Sequence, residues 1–461
     1  MEFLENRTFD EIRIGDSASL VRTLRLEDIR LFAAMSGDIN PAHLDAEYAK
    51  SGMFHEAAAH GMWVGSLIST VLGTQLPGPG TVYISQSLHF ARPVTVGDTL
   101  TVRVKVTKKF EHHHNVILEC ECVNQHGLTV VSGTAEVYAP TTKIRRPRIA
   151  LPEVRLTDKT SHYRRLIAMA EEPAPISMAV VHPCDAQSLL GAVEAARMNL
   201  IVPVLLGPRA KIEAVAAAEN IDISPYRIVD VPHSHAAARR AVEMAREGAV
   251  DALMKGSLHT DELMEEVVAS ESGLRTARRI SHVFVMDVPT YPRMLFITDA
   301  AVNIDPTLED KIDIVQNAID LAHVLGIVEP KVAILSAIET VTPKLRSTLE
   351  AAALCKMADR GQITGGVLDG PLAFDNAVSI VAAKTKNVVS PVAGRADILV
   401  VPDLEAGNMV AKQLEYLADA QAAGIVLGAR VPIVLTSRAD NIQTRLASCA
   451  VALLIAHHRG R

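Results

Sequence analysis

Cysteine is scarce in this sequence: five residues among 461, with no CxxC pair. That excludes a disulfide-built scaffold and suits a reduced, cytoplasmic protein. Cys120 and Cys122 lie two apart in a strand-like run and would share one face of a sheet, which reads as packing rather than metal ligation. Positive charge is not in excess either. Lys and Arg number 46 against 53 Asp and Glu, for a formal net charge of −7, so no general basic footprint for nucleic acid exists. A local basic site for a phosphate-bearing cofactor stays open. Long apolar runs are missing as well. The one near the C-terminus is broken by Arg430, and none reaches the roughly 20 residues that span a bilayer, so no membrane association is expected. The opening residues, Met1 to Arg7, carry early acids and no following apolar region, so a secretory signal is not expected.

What the chain does have is length and an ordinary globular balance. Nearly half of the residues are apolar and about a fifth are charged, and 461 residues imply about two to three domains. Apolar spacing in 26–35 and 55–72 predicts helices. After Gly78-Pro79-Gly80 the pattern turns to strands at 82–90, 100–110, 115–123 and 128–138, with turn chemistry at Gly97-Asp98 and His126-Gly127. A helix wrapped by an antiparallel sheet follows from that order, an α+β domain over 1–139. Residues 140–165 hold eight Lys or Arg against Glu153 and Asp158. They read as a basic linker, solvated or attracting the phosphates of coenzyme A.

From Pro175 onward short buried runs alternate with helical ones. Strands are expected at 178–181, 202–206, 227–231, 249–254, 283–286, 294–298, 332–335, 367–369, 398–401 and 432–435, with helices such as 186–198 and 236–247 between them. This is α/β with mostly parallel strands. The length exceeds that of a usual single sheet, so two lobes around a cleft are expected.

The informative N-terminal stretch is Ser36-Gly37-Asp38-Ile39-Asn40-Pro41-Ala42-His43. A bend can bring Asp38 and His43, five residues apart, to one point. Hydrating a conjugated thioester needs a held water, a base to deprotonate it, and a proton for the α-carbon; a carboxylate and an imidazole on one water supply these. The charge developing on the thioester oxygen needs a donor, and a backbone N–H at a helix start suits it. Asp38 is also an ordinary loop cap. The triplet His112-His113-His114 beside a turn reads as a surface feature rather than a metal site.

Together with Asp45, Ala59-His60-Gly61-Met62, Phe90-Ala91-Arg92-Pro93-Val94 and Gly97-Asp98, this stretch resembles the MaoC-like (R)-specific enoyl-CoA hydratases over about 9–139. The resemblance implies a hotdog fold with a dimer-forming sheet. It implies Asp38 and His43 as the catalytic pair, the Gly61 amide as oxyanion donor, and Asn40 beside the substrate.

In the C-terminal part, Lys255-Gly256-Ser257, the Asp369 loop, Asp403 with Asn408, and Ser437-Arg438 follow predicted strands, where open α/β sheets bind ligands. A helix N-terminus with Arg and Ser is a ready phosphate site. Asp440 is read either as the cap of that helix or as a general base. These loops, with Arg279-Ile280-Ser281-His282, Asp375 and Ser390 to Asp397, resemble the phosphate acetyltransferase/butyryltransferase family over about 176–457.

That resemblance implies a two-lobed α/β domain of the isocitrate/isopropylmalate dehydrogenase-like type over 166–461. Lobe I takes about 166–272 plus 424–461, and lobe II about 273–423. It implies acyl transfer between CoA and phosphate, with Arg438 gripping the phosphoryl group and Ser437 stabilising the tetrahedral oxyanion. Lys255, Arg279, Ser281, Asp369, Asp375, Arg395, Asp403 and Asn408 become binding residues. One departure stands out: after Ser437-Arg438 only Asp440 is acidic, where acetyl-specific members carry several acids, and this form looks closer to the butyryl branch. Acyl-CoA, CoA and phosphate or acyl phosphate are the expected partners, with no metal and no permanently bound cofactor. A homo-oligomer above the dimer is expected, because two domains each bring an interface. The rival readings are a C-terminal domain that only senses CoA thioesters, and a hotdog domain that is only an oligomerisation scaffold.

Overall fold

Alternation of apolar and polar residues between Val82 and Tyr138 produces strands with one dry face. The computed structural model describes residues 2–51, 57–151, 154, 161–437 and 440–459. The chain divides into two units, Met1–Leu156 and Thr157–Arg461. In the first, β1 (Phe3–Glu5) and β2 (Ser17–Thr23) precede the helix Leu26–Ser36, the short helices Pro41–Leu44 and Ala46–Ser51, and the helix Gly61–Thr74. Then come β3 (Val82–Phe90), β4 (Thr99–Phe110), β5 (Asn115–Val123), β6 (Thr129–Tyr138) and β7 (Arg145–Pro147). The main sheet is antiparallel in the order β2-β4-β5-β6-β3.

Every second residue of β4 and β5 points inward: Val102, Val104, Leu118 and Cys120 are fully buried. They pack with Val64, Ile68 and Val71 of the helix Gly61–Thr74. Cys122 shares that face, and burial pushes the Cys120 thiol up to about 11 and the Cys122 thiol up to about 12, so both are inert packing groups. His112 and His113 are exposed beside the turn after β4.

Two expectations change. The second helix begins at Gly61 rather than near 55, because Ala58 is in extended pairing with Thr95; residues 52–56 lie outside the described structure. The expected linker is partly structured. Its β7 pairs with β1, Lys143 pairs with Glu5 and Glu11, Arg148 pairs with Glu2, and a helix starts at Ser161. Those cations serve local acids, which favours the structural reading of 143–148 over attraction of CoA.

Among the described residues the second unit holds one continuous sheet of eleven strands, although its length had argued against a single sheet. Its strands are β8 (Ile176–Val181), β9 (Ile201–Gly207), β10 (Arg227–Asp230), β11 (Ala252–Lys255), β12 (Ser281–Asp287), β13 (Leu295–Thr298), β14 (Lys331–Leu335), β15 (Val367–Leu372), β16 (Ile398–Val400), β17 (Gln421–Leu427) and β18 (Ile433–Val434). The order is β10-β9-β8-β11-β18-β17-β12-β13-β16-β14-β15. Both faces are covered. Along β8, Met178 and Val180 join one core while Ala179 and Val181 join another, which is why these strands read as unbroken apolar runs.

The continuity depends on β17, which the sequence pattern did not reveal. It runs antiparallel to both β18 and β12, and β12 runs antiparallel to β13. Three reversals make the parallel set β13, β16, β14, β15 run opposite to β11 and β18. Loops that follow β15 and β16 therefore leave the sheet at the end opposite to those that follow β11 and β18.

Candidate functional sites

In the first unit, the helix Leu26–Ser36 ends on Gly37, whose φ of +75° suits a residue without a side chain. The chain then folds through a ladder of short bonds. The Asp38 N–H donates to Ser36 Oγ (3.2 Å), Asn40 N–H to Asp38 Oδ1 (3.2 Å), and Ala42 N–H to Asn40 Oδ1 (3.1 Å). The Asn40 Oδ1 thereby caps the helix Pro41–Leu44, which carries His43. His43 Nδ1 lies 2.8 Å from the Ala58 carbonyl. A carbonyl only accepts, so Nδ1 carries the proton and Nε2 is left as a base.

Opposite stands His60, which precedes the helix Gly61–Thr74. Its Nε2 lies 3.0 Å from the Asp38 carbonyl, and its ring centroid is 3.9 Å from that of His43. Asp38, His43 and His60 each place one donor atom within 4.8 Å of the other two, a spacing that could hold a metal ion or a water. A cavity of 260 Å³ opens here, lined by His43, Ala58, Gly61, Val64, Phe90 and Val94 among others. Gly61 opens its helix, so its N–H has no partner within that helix. A β-carbon at Gly61 would stand 3.0 Å from the Phe90 ring. The structure thus brings Asp38, His43 and Gly61 to one point. His60 is the member that the residue pattern left without a role.

The C-terminal candidates do not all converge. Ser437 follows β18, and Asp440 turns back on it: its Oδ2 accepts the Ser437 N–H at 2.7 Å. Asp440 does not cap the helix Ile442–Arg459. Asn441 does so, accepting the Thr444 N–H at 2.9 Å. Burial pushes the Asp440 carboxyl above the usual aspartate range, against the Ser437 N–H and the Lys412 ammonium, whose Nζ is 3.7 Å away. Burial pulls Lys412 down, but the Glu415 hydrogen bond and the Asp440 charge outweigh it and raise its pKa.

Beneath the turn, buried Arg445 donates from Nη1 to Thr436 Oγ1 (2.9 Å) and from Nη2 to the Ser437 carbonyl (3.0 Å). Lys255 is buried with Nζ 3.4 Å from the Thr436 carbonyl. Gly256 beside it is required, since a β-carbon would strike the Val181 carbonyl at 2.4 Å. Arg438 lies outside the described residues.

A second group forms around Asn303. Its Oδ1 accepts from Arg279 Nε at 2.7 Å, and Asp299 accepts the Ala301 and Val302 N–H groups. Asn408 Nδ2 reaches the Ala300 carbonyl at 3.4 Å. Asn408 and Lys412 are four residues apart on the helix Leu404–Leu417 and share a face, so this helix links the Ser437 turn to the Asp299 turn. A cavity of 870 Å³ here is lined by Arg275, Arg278, Arg279, Asn303, Met264 and Ile304 among others.

The remaining candidates lie elsewhere in the unit. Asp403 caps the helix Leu404–Leu417, accepting the Ala406 N–H at 2.8 Å. Ser281 is fully buried, its Oγ accepting from Asn317. Asp369 accepts the adjacent Gly370 N–H, and Asp375 pairs with Lys386 at 3.3 Å. Arg395 is exposed one residue beyond Gly394, whose N–H bonds the Asn376 carbonyl. β15 stands six strand positions from β18, roughly 29 Å across the sheet, and its loop leaves the opposite end. Asp369 and Asp375 are therefore not brought to Ser437 within one chain. Lys412 and Arg445 were not found from the sequence; the only local signal for Arg445 was an arginine just ahead of the largely apolar run 446–456.

Residues 14–121 match the MaoC-like domain family, and residues 233–453 match the phosphate acetyl/butaryl transferase family. Over 299 residues the chain is 68% identical to a phosphate acetyltransferase of Rhizobium meliloti, covering 65% of this chain and 95% of that protein. It is 44% identical over 274 residues to a phosphate butyryltransferase of Clostridium acetobutylicum, covering 59% and 91%. Among solved structures, a branched-chain phosphotransacylase from Enterococcus faecalis matches at 31% identity and a TM-score of 0.54, covering 61% of this chain and 99% of that one. The chain belongs to the phosphate acetyl/butaryl transferase family and carries a MaoC-like hotdog domain ahead of its transferase region.

Proposed function

We propose that the protein is a bifunctional acyl-CoA enzyme. Its N-terminal unit hydrates trans-2-enoyl-CoA to (R)-3-hydroxyacyl-CoA, and its C-terminal unit exchanges an acyl group between CoA and phosphate. For hydration the carrying observation is that His43 and Gly61 line one cavity while the Asp38 carboxylate lies within 4.8 Å of a ring nitrogen of His43. Asp38 and His43 hold a water; its oxygen bonds to C3, its proton passes to the pair, and a proton is delivered from the pair to C2. The Gly61 N–H meets the enolate oxygen as charge builds there.

For transfer, the built turn at Ser437 carries the reading. A phosphate oxygen attacks the thioester carbonyl, Ser437 and Arg438 stabilise the oxyanion and the phosphoryl group, and the CoA sulfur leaves with a proton. Asp440, pushed up by burial, suits carrying that proton. The arginine-lined cavity beside Asn303 suits the CoA phosphates. The unit's sheet, halved at β17 and β12, fits the isocitrate/isopropylmalate dehydrogenase-like description with lobes 166–272 plus 424–461 and 273–423. We assign 1–139 to the hydratase, 140–165 to the connector and 166–461 to the transferase, with no permanently bound cofactor.

No helix among the described residues is long and apolar enough to cross a membrane. The five unpaired cysteines support a cytoplasmic setting. Edge strand β3 exposes Val82 (57%) and Ile84 (49%), which supports a second copy covering it; a second interface in the transferase unit would make the assembly larger than a dimer. Light scattering that gives a monomer would refute this. The deciding assay supplies purified protein with crotonyl-CoA in water, with chiral analysis of the product, and separately with acetyl-CoA or butyryl-CoA plus phosphate. An inactive chain in either assay removes that half of the proposal.

A further inference from the structure

His60 is only 2% exposed and sits among the three groups of the hydratase site. Its Nε2 faces the Asp38 carbonyl at 3.0 Å, so that nitrogen carries the proton. Its other nitrogen, Nδ1, is buried with no hydrogen-bond partner among the described residues. Its ring centroid lies 3.9 Å from that of His43 at an interplanar angle of 35°, and 5.1 Å from that of Phe32. It is also the cap residue immediately before Gly61, although its side chain makes no capping bond.

A buried nitrogen without a partner is unfavourable. If packing were the only demand at this position, a phenyl ring would fill it without that loss. What an imidazole adds is the N–H donated to Asp38. The ring thus touches one catalytic group by a hydrogen bond and another by face contact, and it is joined covalently to the residue that supplies the third.

We propose that His60 is a positioning residue of the hydratase site: its Nε2–H fixes the Asp38 backbone and its ring face sets the plane of His43, keeping carboxylate, imidazole and Gly61 amide in one register. The inference rests on the hydratase reading above. Geometry of this kind acts on turnover, because a displacement of about 1 Å in a reacting group costs on the order of 10²-fold in rate.

The test uses the full chain and three variants. His60→Gln keeps an N–H near the Nε2 position and loses the ring. His60→Phe keeps the ring and loses the donor. His60→Ala loses both. Crotonyl-CoA hydration in the alanine variant should fall by about 10²-fold in kcat with KM within about twofold. Glutamine and phenylalanine should each recover part of that loss, and the pH profile of kcat should move most in the variants that lack the ring. Phosphate-dependent acyl transfer by the same preparations should stay at the wild-type rate, as the internal control for folding. A phenylalanine variant as active as wild type would overturn the inference. So would losses that follow only the fraction of folded N-terminal unit in near-ultraviolet dichroism. Absence of hydration by the wild type sinks the hydratase reading itself, whereas an active wild type with indifferent His60 variants sinks this inference alone.

Discussion

Asp38 and His43 share one loop, shaped by a glycine cap, an asparagine cap and a ladder of bonds two residues long, and tethered at Ala58 and His60, 15 and 22 residues along the chain. The Ser437 turn is held from far away: Lys255 reaches the Thr436 carbonyl across 181 residues, and Lys412 arrives on a separate helix. The difference teaches what kind of change each site tolerates. A local loop keeps its shape when distant packing shifts, while an assembled turn depends on several elements docking correctly. Activity should therefore separate cleanly by unit, and remote substitutions should damage the transferase more than the hydratase.

The largest break in that comparison is Ser437→Ala. Loss of an oxyanion donor should lower phosphate-dependent acyl transfer by about 10²–10³-fold, with crotonyl-CoA hydration unchanged. Parallel loss of both activities in a folded variant would show that the sites are not independent. In the same unit Arg438→Lys should raise the KM for phosphate, because an ammonium cannot reproduce a planar fork of donors.

The reciprocal experiment is somewhat smaller. Asp38→Asn or His43→Gln should cost about 10²-fold in hydration, the usual loss for an acid–base group, and leave transfer intact. Wild-type hydration by both variants would refute the assignment.

Arg445→Met sharpens the claim about remote support. It removes the bonds to Thr436 Oγ1 and the Ser437 carbonyl, which should destabilise the C-terminal unit by about 2 kcal/mol. Calorimetry should show that unit melting earlier, and transfer should fall more than hydration. An unchanged melting curve would mean that the turn holds without it.

The smallest effect is a pH slope. Burial raises the Asp440 pKa above its ordinary 3.8. Between that value and the raised one the folded state keeps a proton that the unfolded state has lost, so stability falls as pH rises through this window and is flat above it. Asp440→Asn still accepts the Ser437 N–H and should flatten the slope. It should not abolish it, because burial also raises Asp299. A slope unchanged in the variant would place the titration elsewhere.

Most strands and both N-terminal helices of the hotdog unit were legible because strict period-2 and helical spacing followed from one-sided burial, as in β4 and β5. The α/β class was legible from alternation. β17 was not. Its sequence, Gln421-Ala422-Ala423-Gly424-Ile425-Val426-Leu427, opens with small residues, because Gly424 lies against Leu435 and His282 and leaves no room for a side chain. Missing that strand hid the reversal of half the sheet, and with it the separation of Asp369 and Asp375 from Ser437.

By itself the sequence determined two chemistries and the loop that carries Asp38 and His43, whose caps and ladder bonds join residues a few positions apart; it marked the Ser437 turn without showing what holds it. Only the tertiary structure decided that Asp403 caps a helix and Ser281 is buried against Asn317, that Asn441 rather than Asp440 caps the last helix, and that His60, Lys412 and Arg445 stand at the sites. Those roles are set by strand direction and helix docking, which bring together residues whose separation along the chain carries no signal of their contact.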